Sequence, residues 1–404
     1  MPIDMQATIV RLCLAVALLA PAIAAYGTTK AVAAGPSAQA AQTEITTRAK
    51  QAILMDADSG AVLFQHKADE MVPPASMSKL MTLAVVFKAL KSGQIKLDDD
   101  ILVSVNAWRR GGGPSGTSAM MIPVNTREKL ELLLQGIIVQ SGNDASIAIA
   151  EAMAGTEEAF ARLMTEEARR IGMKKAEFRN STGLFHAEHM VPARDLAILA
   201  RHLIKEYPEY YARFAQREFL YKKHKFPNRN PLLGAGLGID GMKTGHLKAS
   251  GYGIVASAKQ ESRRLILVIN GMEKMEDRKS EAIRLLEWGF KSFTEFKLFD
   301  AGEVVGQARV WGGSRMYVPL AGTNDLTVML PRYPANQKLK AEIIYKGPLK
   351  TPIKKGDPVA TLRVTSTSQA VNELQLYAAE DVEGTGTMRR GLDSILHMAF
   401  RWAL

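Results

Sequence analysis

Three short motifs in a fixed order constrain this chain more than any other feature: Ser76–Lys79, Ser141–Asn143 and Lys243–Gly245. A serine hydroxyl is a weak nucleophile and needs a base within hydrogen-bond reach. In the first motif a lysine follows the serine by three residues, so on a helix the two side chains share one face, one turn apart. A lysine buried among cationic and polar groups can lose its proton and act as that base. The other motifs add a hydroxyl, an amide and a second lysine.

Two of the three patterns also occur elsewhere by chance. The pattern Ser-x-x-Lys occurs once. The patterns Ser-x-Asn and Lys-(Ser/Thr)-Gly have second copies at Ser104–Asn106 and Lys91–Gly93. The Lys91 copy begins twelve residues after Lys79 on what the apolar pattern predicts to be one helix, so it lies about 18 Å away along the axis. Its glycine is typical of a helix end, and the Ser104 copy follows a strand-like run and indicates a turn. We therefore assign chemistry only to the three copies named first.

The chosen motifs have contexts that suit a catalytic site. Ser76 precedes a long apolar run, which predicts a helix N-terminus, where the helix dipole favours a developing negative charge. Ser141 ends an amphipathic run and precedes a second predicted helix over 144–153, which predicts a helix–helix loop. Lys243 precedes an apolar strand candidate, Gly251–Ala258.

On these motifs the chain resembles the low-molecular-weight penicillin-binding proteins, specifically the D-alanyl-D-alanine carboxypeptidases. The resemblance runs from about Thr46 to the C-terminus and implies an α/β (α+β) fold of the penicillin-binding and β-lactamase-like transpeptidase type. The very glycine-rich segment 109–121 is a departure whose effect on the site the sequence does not define. The stretches that carry the resemblance are Pro74–Lys79, Gln140–Asp144, Asn180–Leu184, Pro227–Asn230 and Asp240–His246.

The motif chemistry assigns a role to each predicted catalytic residue. Ser76 is the predicted acylated nucleophile, and Lys79 is its base. Ser141 and Asn143 are predicted to relay the proton and to hold the substrate amide. Lys243 offers positive charge near the serine or the substrate carboxylate. An oxyanion hole needs two donors, and the Ser76 backbone N–H at the helix start is one of them.

A second group of residues is predicted to bind substrate. Thr244 can hydrogen-bond the substrate carboxylate, and Gly245 belongs to the same motif. The resemblance implies that the His246 backbone N–H is the second oxyanion donor, while its side chain is equally consistent with a polar residue at the rim. Arg229 is a candidate for the terminal carboxylate because arginine forks suit carboxylates. The alternative for Arg229 is a structural or helix-capping arginine in an asparagine-flanked turn.

Residues 1–33 have the pattern of a signal peptide. Fourteen apolar residues, Leu12–Ala25, follow Arg11, a run too short to span a bilayer and typical of a signal-peptide core. The alternative is a retained membrane anchor. The only cysteine, Cys13, lies inside this segment, so the mature protein is expected to lack disulfides. A polar, alanine-rich linker is predicted over residues 34–47.

Two domains and a terminal helix are predicted after the linker. Residues 48–294 predict the serine peptidase domain, with a hairpin, a helix-rich middle and then strands and a helix. Short β-branched runs separated by glycine and proline turns over residues 295–384 predict a small all-β sandwich. The alternative is that these strands continue the sheet of the first domain. Residues 388–404 are short, amphipathic, basic and aromatic, which is typical of a helix in the membrane interface; the alternative is a helix docked on its own domain.

The charge of the chain limits its partners. Formal net charge is +11 at pH 7, and about +10 of it lies beyond the predicted signal peptide. A basic exported protein is attracted to anionic lipid surfaces or acidic wall polymers. Nucleic acid is not a predicted partner, because the basic residues are scattered and export excludes most nucleic acid. No cofactor is predicted, and no clustering of His, Cys and Asp predicts a metal.

The sequence therefore predicts a D-Ala-D-Ala carboxypeptidase at the periplasmic face of the bacterial inner membrane. It would remove the terminal D-alanine of peptidoglycan pentapeptides through an acyl-enzyme and be inhibited covalently by β-lactams. A D,D-endopeptidase acting on cross-links is the nearest alternative. A β-lactamase is disfavoured by Ser-Gly-Asn in place of Ser-Asp-Asn and by the lack of a Glu-x-x-Leu-Asn motif. Intact Ser76, Lys79 and Lys243 disfavour a non-catalytic wall-binding protein.

Overall fold

The computed structural model describes residues 8–12, 45–332, 338–366 and 371–386. The chain divides into two compact units, Thr47–Lys291 and a unit that joins Ser292–Leu404 to Met1–Thr46. The predicted terminal helix at 388–404 lies outside the described residues. So does the predicted signal peptide, apart from the five residues that form strand β1 (Thr8–Leu12). Within the described parts of the chain, no helix is both long and apolar enough to cross a membrane.

The first unit combines helices with an antiparallel sheet. Its helices are α1 (Lys79–Lys91), α2 (Val105–Gly111), α3 (Leu130–Gln135), α4 (Asn143–Ala154), α5 (Glu157–Arg170), α6 (Ala193–Glu206), α7 (Pro208–Tyr211) and α8 (Met275–Ser292). Its strands are β2 (Gln51–Asp56), β3 (Val62–His66), β4 (Asp100–Leu102), β5 (Arg127–Lys129), β6 (Glu218–Tyr221), β7 (His224–Pro227), β8 (Ile239–Leu247), β9 (Gly251–Gln260) and β10 (Arg263–Met272). The predicted hairpin is β2–β3, and the predicted strand pair is β9–β10.

The main sheet of this unit is apolar on both faces. Its strand order is β3-β2-β10-β9-β8, with every neighbouring pair antiparallel. Because side chains alternate along a strand, Ile53 joins the helical core on one face, while Leu54 points to the other. On that second face, a Cβ added at Gly289 of α8 would lie 2.6 Å from Leu54 Cδ2. The sheet is therefore covered by the helical core on one side and by α8 on the other.

Helix α1 occupies the centre of the helical layer. Its sequence is apolar around most of its circumference, and ten of its thirteen residues are buried. Helices that are apolar all round are buried helices, and α1 packs against α4, α5 and α6. Helix α6 in turn packs on β2 and β10. This arrangement places the first motif, at the start of α1, in the interior of the unit.

The second unit is the predicted all-β domain. Strands β12, β13, β18, β17, β15 and β1 pair in that order, β16 pairs with β12, and β11 pairs with β14. These strands surround their own apolar core, so they form a separate domain. Strand β11 begins directly after α8, so the predicted boundary at residue 295 falls inside a strand. The strands are β11 (Phe293–Phe299), β12 (Val304–Trp311), β13 (Tyr317–Ala321), β14 (Leu326–Pro331), β15 (Leu339–Tyr345), β16 (Leu349–Lys350), β17 (Pro358–Ser366) and β18 (Val371–Ala378).

A pair of valines tests this core. Val318 on β13 is fully buried, whereas Val304 on β12 is 53% exposed. Val318→Ala removes two buried methyl groups and leaves a cavity, so it should lower the free energy of unfolding of this domain by about 2 kcal/mol. Val304→Ala should change it by less than about 0.5 kcal/mol. Denaturant unfolding measures both changes in stability. Equal effects of the two substitutions would contradict the placement of Val318 in the core and of Val304 at the surface.

Candidate active site

The predicted nucleophile, Ser76, lies on a short 3₁₀ turn that leads directly into α1. Residues Ala75–Ser78 form the turn, and Lys79 is the first residue of the helix. Ser76 is partly exposed, while both Ser78 and Lys79 are buried. Lys79 Nζ lies 3.0 Å from Ser76 Oγ. The turn therefore presents the hydroxyl to solvent and brings the amine to it from the interior.

The environment of Lys79 favours a neutral amine. Its side chain is fully buried, and Nζ donates a hydrogen bond to the Thr182 carbonyl oxygen at 2.6 Å. Burial lowers the pKa of Lys79 well below its ordinary value, and the positive charges of Lys243 and Arg229 lower it further. A neutral amine has a lone pair that can accept the Ser76 proton. The geometry and the pKa shift together equip Lys79 to act as a base.

The Asn180–Leu184 loop holds the carbonyl that Lys79 contacts. Asn180 Oδ1 accepts the backbone N–H of Thr182 at 3.2 Å and that of Gly183 at 2.7 Å. Gly183 has φ +80°, and a Cβ there would lie 1.9 Å from the Ala75 carbonyl oxygen, so only glycine fits against the nucleophile turn. The sequence marked this loop through the family resemblance but assigned it no role; in the structure it holds the Thr182 carbonyl oxygen against Lys79 Nζ.

Glu157, the first residue of α5, holds the same loop through a second set of hydrogen bonds. Glu157 Oε1 accepts hydrogen bonds from the Ser181 backbone N–H at 3.0 Å and from its hydroxyl at 2.8 Å. The other oxygen of Glu157 pairs with Arg110 at 2.9 Å. This buried carboxylate is thus satisfied by the loop and by arginine, and it does not form an ion pair with Lys79. Nothing in its sequence neighbourhood indicated this role.

The second motif lies between two helices, as its context predicts. A π-helical turn over Gly136–Gln140 ends at Ser141, which has φ +64°, and α4 begins at Asn143. The Ser141 hydroxyl is buried, and neither it nor Asn143 Oδ1 has a hydrogen-bond partner among the residues that the structure describes. Asn143 Nδ2 donates to Thr117 Oγ1 at 2.9 Å. Two polar atoms are thus left available to a substrate or to the reacting groups.

The glycine-rich segment is fastened to the start of α4. The Asp144 carboxylate accepts the backbone N–H groups of Met120 at 2.9 Å and Ile122 at 3.2 Å. A Cβ at Gly111 would lie 2.4 Å from the Asp144 backbone nitrogen, so glycine allows α2 to approach α4 closely. The structure therefore gives this segment a role that the sequence did not define: it brings Thr117 beside Asn143.

The third motif lies on β8, at the end of the main sheet. It precedes β9, as the sequence predicts, and it is itself part of a strand that pairs with β9 and that the sequence did not predict. Lys243 is buried, and Nζ donates to the Thr244 carbonyl oxygen at 3.2 Å. Burial, followed by the charges of Arg229 and Arg278, lowers the pKa of Lys243 to about 7. A Cβ at Gly245 would lie 3.0 Å from the Pro74 carbonyl oxygen, so this motif passes close to the nucleophile turn.

A cleft of about 380 Å³ opens over these groups. It brings together Ser76, Asn143, Arg229 and His246, while Lys79 and Lys243 lie buried beneath its surface. The residues that line it are Ser76, Gly116, Thr117, Ser118, Asn143, Gly183, Leu184, Arg229, His246 and Leu247. Small and polar side chains dominate this lining, so the cleft suits a narrow peptide end.

Arg229, which follows β7, and His246, on β8, both line the cleft. The Arg229 guanidinium donates to the Ser118 hydroxyl and to Gln140 Oε1, the latter at 3.3 Å. The exposed His246 ring stacks on Tyr252 at a centroid distance of 4.0 Å. Both side chains can therefore meet a substrate, although Arg229 also has structural partners.

The chance copies of the motifs have structural roles. Lys91 lies in the last turn of α1 and donates to the Glu206 carbonyl oxygen at 2.9 Å. Ser104 caps α2 by accepting the Ala107 backbone N–H at 3.0 Å. Within the ranges that the structure describes, no group of three or more His, Cys, Asp or Glu side chains could hold a metal ion.

Comparisons with known proteins agree with this geometry. The family profile described as D-alanyl-D-alanine carboxypeptidase matches residues 37–274, and that of the penicillin-binding protein 5 C-terminal domain matches residues 293–384. The D-alanyl-D-alanine carboxypeptidase DacC of Escherichia coli K12 is 36% identical over 373 residues, 91% of this chain and 93% of the relative. DacA of Haemophilus influenzae is 34% identical over 337 residues, 83% of this chain and 85% of the relative.

A solved structure extends the similarity to the fold. Penicillin-binding protein 5 from Haemophilus influenzae superposes with a TM-score of 0.72 at 34% identity, covering 84% of this chain and 99% of that one. The similarity includes both the helix-rich domain and the β-domain. These matches confirm the predicted family and fold: the chain belongs to the D-alanyl-D-alanine carboxypeptidase family.

Proposed function

We propose that this protein is a serine-type D-Ala-D-Ala carboxypeptidase that removes the terminal D-alanine from peptidoglycan pentapeptides. The observation that carries the proposal is the buried Lys79 amine, 3.0 Å from the Ser76 hydroxyl. Burial and the charges of Lys243 and Arg229 lower the pKa of Lys79 well below its ordinary value, which favours the neutral amine that a base requires. Family membership supports the same activity, and the carboxypeptidase relatives match nine-tenths of the chain, which favours this function over a D,D-endopeptidase.

Acylation follows from the positions of the first two motifs. Lys79 Nζ takes the proton from Ser76 Oγ, which then attacks the carbonyl carbon of the D-Ala–D-Ala bond. The backbone N–H groups of Ser76 and His246 stabilise the oxyanion. When the tetrahedral intermediate collapses, the C–N bond breaks and the leaving nitrogen takes a proton. We propose that this proton is the one that Lys79 took from Ser76 and that it passes through Ser141, whose hydroxyl is buried and has no hydrogen-bond partner in the described parts of the chain.

Deacylation uses the same groups in the reverse direction. Lys79 again accepts a proton, now from a water molecule that attacks the Ser76 ester. The C–O bond of the ester breaks, Ser76 recovers its proton, and the shortened peptide leaves. The chemistry therefore needs no group beyond these side chains and water.

Positive charge recognises the carboxylate of the terminal D-alanine. With a pKa of about 7, Lys243 is only partly protonated in the free protein. A bound carboxylate favours its charged form, and the Arg229 fork and the Thr244 hydroxyl can add hydrogen bonds. A β-lactam presents a strained amide beside a carboxylate, so it should acylate the same serine and remain attached.

The sequence supports an exported protein at the periplasmic face of the inner membrane. Residues 1–33 supply the proposed signal peptide and residues 388–404 the proposed anchoring helix. In the proposed helix, Leu392, Ile395 and Leu396 would share one face, and three arginines accompany them in the sequence. Such a helix combines apolar burial with attraction to anionic lipid.

The nucleophile and its base give the first prediction of this mechanism. Ser76→Ala should abolish both D-alanine release and covalent labelling by a fluorescent penicillin. Lys79→Ala should also lose acylation while its circular dichroism stays native, because the serine has lost its base. Covalent labelling of the Ser76→Ala variant would show that another residue is the nucleophile.

Two lysines separate the third motif from its chance copy. Lys243→Ala should slow acylation by about 100-fold or more, because it removes a charge directed at the reaction centre. Lys91→Ala should leave the rate within about twofold, because Lys91 lies at the far end of α1, about 18 Å from Lys79. Stopped-flow acylation measures both variants, and similar effects would contradict the assignment.

Deletion of Gly391–Leu404 tests the proposed membrane association. The mature protein should move from the membrane fraction to the soluble fraction and keep its activity on a small soluble peptide. Binding to vesicles should weaken as the anionic lipid fraction falls, because each arginine contributes about 1 kcal/mol near such a surface. A truncated protein that stays membrane-bound, or that unfolds, would favour the helix docked on its own domain.

Substrate choice tests the activity itself. Purified protein should release D-alanine from a D-Ala–D-Ala pentapeptide much faster than it opens cross-linked muropeptides. Chromatography of both digests measures the ratio. Faster cleavage of the cross-links would identify an endopeptidase instead.

A further inference from the structure

A buried histidine outside the three motifs contacts the nucleophile turn. His189 lies in the segment that precedes α6, and its Nε2 is 2.8 Å from the Ser78 hydroxyl. Ser78 lies between Ser76 and Lys79 in the sequence, and both Ser78 and His189 are at most 1% exposed. The mechanism above does not use His189, although it lies directly behind the motif that carries the chemistry.

The hydrogen bonds of His189 define its tautomer. Its Nδ1 accepts the backbone N–H of Arg179 at 3.4 Å, so the ring proton is on Nε2 and is donated to Ser78 Oγ. Burial lowers the pKa of His189 to about 3, with contributions from His186, Arg179 and Lys79. The ring is therefore neutral at every working pH and acts as a hydrogen-bond donor, not as a charge.

The segment that carries His189 holds the nucleophile turn at both ends. Val191 N–H donates to the Val72 carbonyl oxygen at 2.9 Å, before the turn begins. His189 holds Ser78 at the point where the turn ends. The His189 ring is itself held by an edge-to-face contact with Phe178, with the ring centroids 5.4 Å apart. These contacts restrain the turn from outside its own backbone.

Two features of the nucleophile turn indicate that it requires a restraint from outside its own backbone. Ala75 has φ +51°, which an alanine rarely adopts. Ser78 is the residue before α1, but its side chain does not cap the helix. Its hydroxyl is therefore available to accept the hydrogen bond that His189 Nε2 donates. Because Ser78 lies between Ser76 and Lys79 in the sequence, its position affects the positions of both.

We propose that His189 is a positioning residue that, through Ser78, keeps Ser76 Oγ and Lys79 Nζ within hydrogen-bond distance. This inference rests on the proposed function of Ser76 and Lys79. Loss of the His189 contact should lower the rate constant of acylation at saturating substrate. Substrate affinity should not change, because His189 does not line the cleft.

The test is a double-mutant cycle on the full-length mature protein. Stopped-flow kinetics with a fluorescent penicillin give the acylation rate constant and the dissociation constant of the initial complex separately. His189→Ala and Ser78→Ala should each lower the rate constant by about tenfold or more, with the dissociation constant within twofold. The double variant should be no slower than the slower single variant, because both changes remove the same contact.

Two further variants separate positioning from general stability. His189→Gln places an amide N–H near the position of Nε2 and should restore the rate to within about threefold of wild type. His202→Ala removes a half-buried histidine of α6 that contacts Tyr207, and should leave the acylation rate within twofold. If His189→Ala does not fold, Ser78→Ala and His189→Gln still measure the contact.

The outcomes distinguish this inference from the proposed function. If Ser76→Ala is still labelled, the proposed function fails. If Ser76→Ala is inert but folded His189→Ala and Ser78→Ala acylate within twofold of wild type, only the role of His189 is wrong. Additive effects in the double variant would equally overturn it.

Discussion

The desolvation of one lysine is the constraint on which this structure depends. An ammonium group buried without a carboxylate partner is costly, and proteins usually respond by losing the proton. The carboxylates that act most on Lys79 are Glu157 and Asp144. Glu157 already binds Ser181 and Arg110, and Asp144 binds backbone N–H groups. Because both acids have other partners, neither forms an ion pair with the Lys79 amine, and burial favours its neutral form.

The fold assembles the site by bringing three different kinds of element to one point. A central apolar helix carries the base, a loop after a π-helical turn presents Ser141, and a strand carries Lys243. Close approaches at Gly183 and Gly245 let the loop and the strand reach the nucleophile turn. Rigid elements therefore hold the reacting groups within the small tolerances that proton transfer requires.

The sequence predicted local features well, because they depend on neighbouring residues. The start of α1, the loop at Ser141, the hairpin β2–β3 and most strands of the β-domain follow from apolar patterns and turn residues. The Lys91 copy ends a helix, as predicted, whereas the Ser104 copy, predicted to be a turn, caps the start of α2. The motif at Lys243 was correctly placed before β9, but β8, which contains the motif, was not predicted, because its polar residues interrupt the apolar pattern typical of a strand.

Long-range contacts were beyond prediction from one sequence. The Thr182 carbonyl that holds Lys79 is 103 residues away along the chain, and Glu157 acts through the backbone of a loop. The Thr117 contact with Asn143 arises only when α2 and α4 pack together. These interactions involve backbone atoms and common side chains, which leave no pattern in the sequence.

The protonation state of Lys79 tests the central claim most directly. In protein with ¹³C-labelled lysine, the Cε resonance of Lys79 can be assigned by its loss in Lys79→Arg and followed as the pH rises. A neutral amine predicts that this resonance has the chemical shift of the deprotonated form at pH 8, where exposed lysines remain charged. Titration near the ordinary lysine pKa of about 10.4 would show that the resting enzyme holds an ammonium at Lys79, and would contradict its role as the base.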